Sequence, residues 1–249
     1  MPERRGRTWA GLVVAIAAAH AVAEDAAPPR LRMAIPFSAA AGGRVKVVIR
    51  GWNLAVASAV HVDLPDAAPA VVAKGAAAVP AGHNAAVIGA EQVEFEMTLP
   101  AGTAAGPIAV RVESPAGLSD PYSFLVTTAD IAEVEPNEAF TTAQPLTPPA
   151  VVAGAIQAER DVDVFHVACA TGRTLVARLE ARSHGSALDG VLSLYADDGT
   201  LVAVHDDGPS ADAEVRVPIT VSGTYRLVLQ DANDRGGPTH PYRLSVTLE

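Results

Sequence analysis

The sequence is poor in the residues from which cross-links and catalytic sites are usually built. Its 249 residues include one cysteine, Cys169. A single cysteine cannot close an internal disulfide and excludes a Cys-rich zinc centre. Cys169 ends the run Val167-Ala168-Cys169 with no basic neighbour, where a thiol serves as a small buried hydrophobe. Aromatic residues are 4% of the chain although apolar residues are 49%. Much of that apolar share is alanine, so the cores must come mainly from Val, Leu and Ile. Positive charge is short as well: 18 Lys and Arg face 28 Asp and Glu, a net charge of -10. That balance excludes the basic stripe of a nucleic-acid binder. It favours a soluble surface that attracts cations.

Catalytic signatures are also missing. The chain has no His-Glu-x-x-His, no Gly-x-Ser-x-Gly, no Gly-Lys-Ser/Thr phosphate loop and no Gly-x-Gly-x-x-Gly. Its histidines are His20, His61, His83, His166, His184, His205 and His240. His166 is expected to face solvent, and His184 and His205 to be ordinary surface histidines beside loops. The reading is therefore of a protein that is not an enzyme. A Ser, His and Asp converging in space would be the exception.

One apolar run stands out, at the start. Arg4, Arg5 and Arg7 precede Ala10 to Ala19, and Ala21-Val22-Ala23 gives a small-x-small cleavage pattern before Glu24. Residues 1–23 read as a signal peptide, because the run is shorter than the roughly 20 residues a membrane span needs. Cleavage removes three Arg and one Glu and moves the net charge from -10 to -12. The mature protein is expected to be exported, with periplasm, cell surface and medium all open, and without a membrane span.

Past a spacer at 24–29 the chain reads as all-β. Residues 30–128 form a first block. In Arg44 to Arg50, Val45, Val47 and Ile49 alternate with Lys46, Val48 and Arg50; in Val93 to Leu99, Val93, Phe95, Met97 and Leu99 alternate with Glu94, Glu96 and Thr98. That period of two is the mark of a half-buried strand. Ile108 to Val112 and Tyr122 to Val126 follow suit, while 66–90 is rich in Ala, Pro and Gly and predicts a weak strand or a long loop. Residues 129–249 form a second block with strand candidates at Val151–Ile156, Val162–Val167, Leu175–Leu179, Leu192–Tyr195, Leu201–Val204, Val215–Ile219, Tyr225–Leu229 and Tyr242–Thr247. Short strands at regular spacing, with Gly and Asp turns between them, predict a β-sandwich or jelly roll. Asp197-Asp198-Gly199-Thr200 reads as a hairpin turn. No helical period exceeds two turns after residue 23, and no fixed-length repeat occurs.

The second block carries an ordered set of short motifs. Glu133-Val134-Glu135-Pro136-Asn137-Glu138 opens it, followed by Ala143-Gln144-Pro145-Leu146, Gly154, Asp161-Val162-Asp163-Val164-Phe165 and Gly172. Gly185-Ser186-Ala187-Leu188-Asp189, Leu194-Tyr195, Asp198-Gly199, Asp206-Asp207 and Asp212 come next. Ser222-Gly223-Thr224-Tyr225 and Tyr242-Arg243-Leu244 close it. This resembles the bacterial pre-peptidase C-terminal domain, related to the collagen-binding domains of clostridial collagenases. The first block resembles the Ig-like IPT/TIG type through Ile49-Arg50-Gly51-Trp52-Asn53-Leu54, Gly106 to Val112 and Gly117-Leu118-Ser119. The resemblance implies an Ig-like sandwich followed by a jelly-roll sandwich. It also implies a binding, stability or secretion module without catalysis, some members of which hold calcium at the linker.

Glu133, Glu135, Asn137 and Glu138 put four oxygen-bearing side chains within six residues. On an extended segment Glu133, Glu135 and Asn137 share a side, and Asp161 and Asp163 share one likewise. Calcium takes six to eight oxygens in a flexible shell, which these six residues can supply if the two segments meet. A solvated linker is the other reading of the same acids. The family pattern places calcium ligands in these segments: Glu133, Glu135, Asn137 and Asp163 match it, Glu138 stands where Asp is commoner, and Asp161 is the less certain ligand. The expected partner is a protein or carbohydrate surface, and a structural or assembly role is the alternative. Scarce aromatics argue against a sugar-stacking platform. The oligomeric state is left open.

Overall fold

Strands form where the sequence alternates with period two, and the computed structural model describes them across residues 27–207 and 211–249. The signal-peptide segment, 1–23, lies outside the described residues. In chain order come β1 (Arg30–Ile35), β2 (Ser38–Ala40), β3 (Gly43–Trp52), β4 (Ala59–Val62), β5 (Ala70–Ala76), a one-turn helix α1 (Ala85–Ile88), β6 (Glu91–Leu99), β7 (Gly106–Ser114), β8 (Gly117–Leu118) and β9 (Tyr122–Thr127). They continue with β10 (Ile131–Ala132), β11 (Gln144–Leu146), β12 (Ala150–Ala155), β13 (Val162–Cys169), β14 (Thr174–Glu180), β15 (Gly190–Tyr195), β16 (Leu201–His205), β17 (Glu214–Pro218), β18 (Gly223–Asp231) and β19 (Pro241–Leu248).

The fold is all-β, as the alternation predicts, and consists of two sandwiches in tandem. The first packs the sheet β1-β3-β6-β5 on β2-β9-β7-β4, with β8 hairpinned onto β7. The second packs β10-β12-β19-β14-β17 on β11-β13-β18-β15-β16. Val47, Ile49, Val93, Phe95, Met97 and Leu99 meet Val110, Val112, Phe124 and Val126 in the first core. Phe165, Val167, Leu175, Leu192, Leu227 and Leu244 anchor the second. Each such buried side chain contributes about 1.5–3 kcal/mol. Cys169 is buried as expected, and burial pushes its thiol up to about 11. Asp198 and Gly199 make the predicted hairpin turn: Gly199 takes φ 84° and Thr200 N donates to Asp198 Oδ1 at 2.9 Å.

One local reading is corrected, and one is resolved in favour of the weak strand. Arg50 alternates with core residues but is buried, because the segment after β5 folds over its face. Its guanidinium donates to Ala78 O (3.0 Å) and Gly89 O (2.9 Å). Between 66 and 90, a real strand forms, β5, paired antiparallel to β6 at the sheet edge. Its side chains are exposed, which is why its apolar pattern is weak.

The sandwiches touch through a small set of contacts. Phe37 stacks on His184, ring centroids 4.6 Å apart and planes within 2°. Tyr122 Oη donates to His184 O at 2.8 Å. His184 is thus an interface residue and not the surface histidine expected, and burial holds its imidazole below the ordinary range. Gly185 follows in a left-handed turn, φ 86°, and a Cβ there would lie 2.0 Å from Arg32 O. Arg243 clamps the connecting segment, pairing with Asp130 (2.8 Å) and Glu180 (2.8 Å).

Candidate functional site

The acidic opening of the second sandwich does fold against β13. Glu133 follows β10, which lies parallel to β12, and Glu133 N donates to Ala153 O at 3.1 Å. Val164 N donates to Asn137 O at 3.0 Å, which fastens the end of the segment to β13. Gln144 holds the middle, donating to Ala132 O (3.0 Å) and accepting from Val134 N (2.9 Å). These bonds bring Glu133, Glu135 and Asp163 together, with one carboxylate oxygen of each within 4.8 Å of the others.

Asp163 is the pivot. It begins β13 on the same face as Phe165 and Val167, so strand alternation aims it inward, and it is 0% exposed. Its Oδ2 is buried without a hydrogen-bond partner. A buried, unpaired carboxylate is costly. Burial first, then the hydrogen bond and charge of Glu133, push its pKa far above the carboxylate range. Glu135 is also raised, by burial first and then by the charges of Glu133, Asp161 and Glu138, against a hydrogen bond from Asn137 N.

The neighbouring carboxylates are partly satisfied. Glu133 accepts from Tyr242 Oη at 2.6 Å and Ala155 N at 3.0 Å. Glu135 accepts from Asn137 N at 2.9 Å and Gln157 Nε2 at 3.1 Å. Asn137 is fully buried, and its amide lies between the carboxylates of Glu135 and Asp163. With Oδ1 toward Asp163 and Glu135, oxygen faces oxygen. With the amide turned, Nδ2 donates to Asp163 Oδ1 and Glu135 Oε2, each at 3.2 Å.

Two of the six expected residues stand apart. Asp161 precedes β13 and is turned to its own loop, accepting from Val162 N at 3.0 Å and from Gln157 N at 2.5 Å. Glu138 is exposed. Both border an open hollow with Glu135, Pro136, Gln157 and Ala158. Three contributors were not named as site residues from sequence: Tyr242, Gln157 and Gly154. Gly154 pairs with Tyr242 across β12 and β19. A Cβ there would lie 2.7 Å from Tyr242 Oη and 2.8 Å from Glu133 Oε2, so glycine makes room for the carboxylate. Gly154 was visible as a motif residue, but its role depends on a partner strand far along the chain.

The histidines are not all scattered. His83 and His240 meet edge to face with centroids 4.9 Å apart. Neither ring is hydrogen-bonded to a carboxylate; His83 Nδ1 contacts Ala81 O (3.1 Å) and His240 Nδ1 contacts Thr239 Oγ1 (3.3 Å). Among the described residues the pair therefore lacks the orienting acid of a nucleophile-base set.

No protein-family model matches the chain, and no curated protein matches it. Solved structures do. The chain is similar to the pre-peptidase C-terminal domain of collagenase from Bacillus anthracis at 15% identity and TM-score 0.37, over 46% of this chain and 100% of that one. It is similar to PliG, a periplasmic inhibitor of g-type lysozyme from Aeromonas hydrophila, at 18% identity and TM-score 0.35, over 43% of this chain and 96% of that one. A third is SGBP-B of the Bacteroides ovatus mixed-linkage glucan utilization locus, at 10% identity and TM-score 0.27, over 89% of this chain and 74% of that one.

Proposed function

We propose that the chain is an exported, non-catalytic binding module of two domains that part near Ala129, with calcium stiffening the opening of the second. One observation carries the calcium reading: Asp163 is fully buried with Oδ2 unpartnered, beside Glu133 and Glu135. An all-oxygen donor set suits calcium. Glu133, Glu135 and Asp163 would hold the ion, with Asn137 turned to offer Oδ1. The cation offsets the mutual repulsion of the carboxylates and ties the opening segment to β13. Tyr242 and Ala155 N keep Glu133 oriented, and Gln157 does the same for Glu135.

The binding role rests on the rest of the molecule. No carboxylate orients either paired histidine among the described residues, and the net charge of -10 disfavours nucleic acid as a partner. A protein or carbohydrate surface is the partner class. An assembly role has one specific support: edge strand β16 exposes Leu201 (50%), Val202 (42%) and Val204 (52%), and such edges invite packing or pairing. Light scattering across concentration separates the two, since self-assembly raises the mass and simple binding does not.

The calcium reading is tested by thermal unfolding in excess EDTA and then in millimolar calcium. A ligand bound only to the folded state at about 100 times its dissociation constant adds roughly 2.7 kcal/mol, which raises the midpoint by several degrees. Glu135→Gln and Asp163→Asn should each abolish the rise. An unchanged midpoint for the unmutated chain removes calcium and leaves a solvated linker.

A further inference from the structure

Between the two sandwiches lies a cleft of about 290 Å³, walled by Arg32, His83 and Asn84 from the first and by Arg182, Asp231 and Arg235 from the second. Its acids are already engaged. Asp231, 2% exposed, accepts from the backbone N–H groups of Asp189 (2.9 Å), Asn233 (2.9 Å) and Arg235 (3.1 Å). Asp189 accepts from Arg182 Nη1 at 2.7 Å and Asn233 Nδ2 at 3.3 Å.

Two of its guanidinium groups are not engaged. The side chains of Arg32 and Arg235 have no hydrogen bond or ion pair with any described residue. Arg32 Nε is buried and unpartnered. Arg235 reaches across to the first sandwich, its Nε 3.2 Å from where a Cβ on Gly82 would stand. Arg44, Arg178, Arg216, Arg226 and Arg243 each pair with an acid, whereas Arg111 and Arg160 are unpaired as well but lie outside this cleft. In a chain of net charge -10, acidic partners are in surplus, yet neither cation is paired with one, since the cleft's own Asp189 and Asp231 are bonded to other groups. A buried donor left without a partner is costly, and a ligand acceptor would satisfy it.

We propose that this cleft is an oxyanion site, in which a carboxylate or phosphate on a small polar molecule is gripped by Arg32 of the first sandwich and Arg235 of the second. Guanidinium forks match both anions in two-pronged geometry. Clefts between domains are common ligand sites, and this volume lies at the small end of the range, about 300–1,000 Å³. It suits a single sugar acid or a free phosphate better than a stretch of polymer. Asn84 and His83 on the same wall suit the ligand's polar remainder.

The test is isothermal titration of the full chain at low ionic strength, with inorganic phosphate and with glucuronate as titrants. EDTA is present throughout, so that the result does not depend on calcium. Saturable binding of at least one titrant is expected. Arg32→Gln and Arg235→Gln should each weaken it by about tenfold, as loss of a charge-assisted bond does. Arg111→Gln, an equal loss of charge outside the cleft, should change it less than about twofold. Arg32→Lys, which keeps charge but not the fork, should fall between. Since neither Arg32 nor Arg235 has an internal partner, the Gln variants should unfold at the native midpoint, which shows that lost binding is not lost folding. Glucuronate binding alone assigns the site to a carboxylate, and phosphate binding alone to a phosphate. If neither saturates, or if both cleft variants bind as the native chain does, the proposal is overturned.

Discussion

In the acidic pocket, Glu133, Glu135 and Asp163 all belong to the second sandwich and crowd within 4.8 Å. In the cleft, Arg32 and Arg235 belong to different sandwiches and line an open space. The pocket supplies most of its own compensation, through Tyr242, Ala155 N, Asn137 and Gln157. What remains open there is essentially one atom, Asp163 Oδ2. The cleft supplies none for Arg32 and Arg235, though it pairs Arg182 with Asp189. The pocket is made by strand pairing inside one sandwich and should outlast any loosening between the two. The cleft exists only while they stay docked.

Gly185→Ala sharpens that contrast most. A Cβ there meets Arg32 O at 2.0 Å, on a backbone with φ 86°. Left-handed strain of about 1–3 kcal/mol adds to a backbone collision that only separation can relieve. The expected result is a loss of roughly 3 kcal/mol in calorimetry, with anion binding gone and the calcium-dependent rise intact. Loss of both together would break the comparison.

Acid should act next, and on the interface side. His240 is fully buried, and burial first, then the charge of His83, lowers its pKa from 6.5 to about 4, against Asp231 and with Arg235. A depressed pKa means that the folded state binds the proton less readily than the unfolded chain. The stability is therefore whole above about pH 6.5 and is lost as pH falls toward about 4, on the order of 3 kcal/mol. His240→Phe, which cannot titrate, should flatten this part of the stability–pH curve.

The smallest effect is on the pocket side. Tyr242→Phe removes the 2.6 Å hydrogen bond to Glu133 Oε1. It should cost about 1–2 kcal/mol by denaturant unfolding in EDTA. Calcium should still raise the midpoint, because Tyr242 orients a ligand and is not one. Abolition of the calcium response would show that the hydroxyl does more.

The strands that alternate cleanly were legible in the residues themselves. Val93, Phe95, Met97 and Leu99 point inward as the period requires, and each of the eight strand candidates of the second block overlaps a strand of the fold. β1, β2, β4, β8, β10 and β11 were not, and β5 was read only as a weak strand or a loop. A strand of two or three residues shows no period, and one that exposes both faces needs none. The site was half legible. Glu133, Glu135, Asn137 and Asp163 meet, while Asp161 turns back onto Gln157 and Glu138 stays in solvent.

By itself the sequence determined the all-β class, the inward-facing residues of the long strands, the buried thiol and the two acidic segments, because each depends on the period or content of a few adjacent residues. Only the tertiary structure decided that Tyr242 reaches Glu133 across 109 residues, that Gly154 clears the space between them, and that Arg32 and Arg235 share a cleft. Those are distances between remote parts of the chain, set by which strands pair and how two sandwiches dock, and no local pattern encodes them.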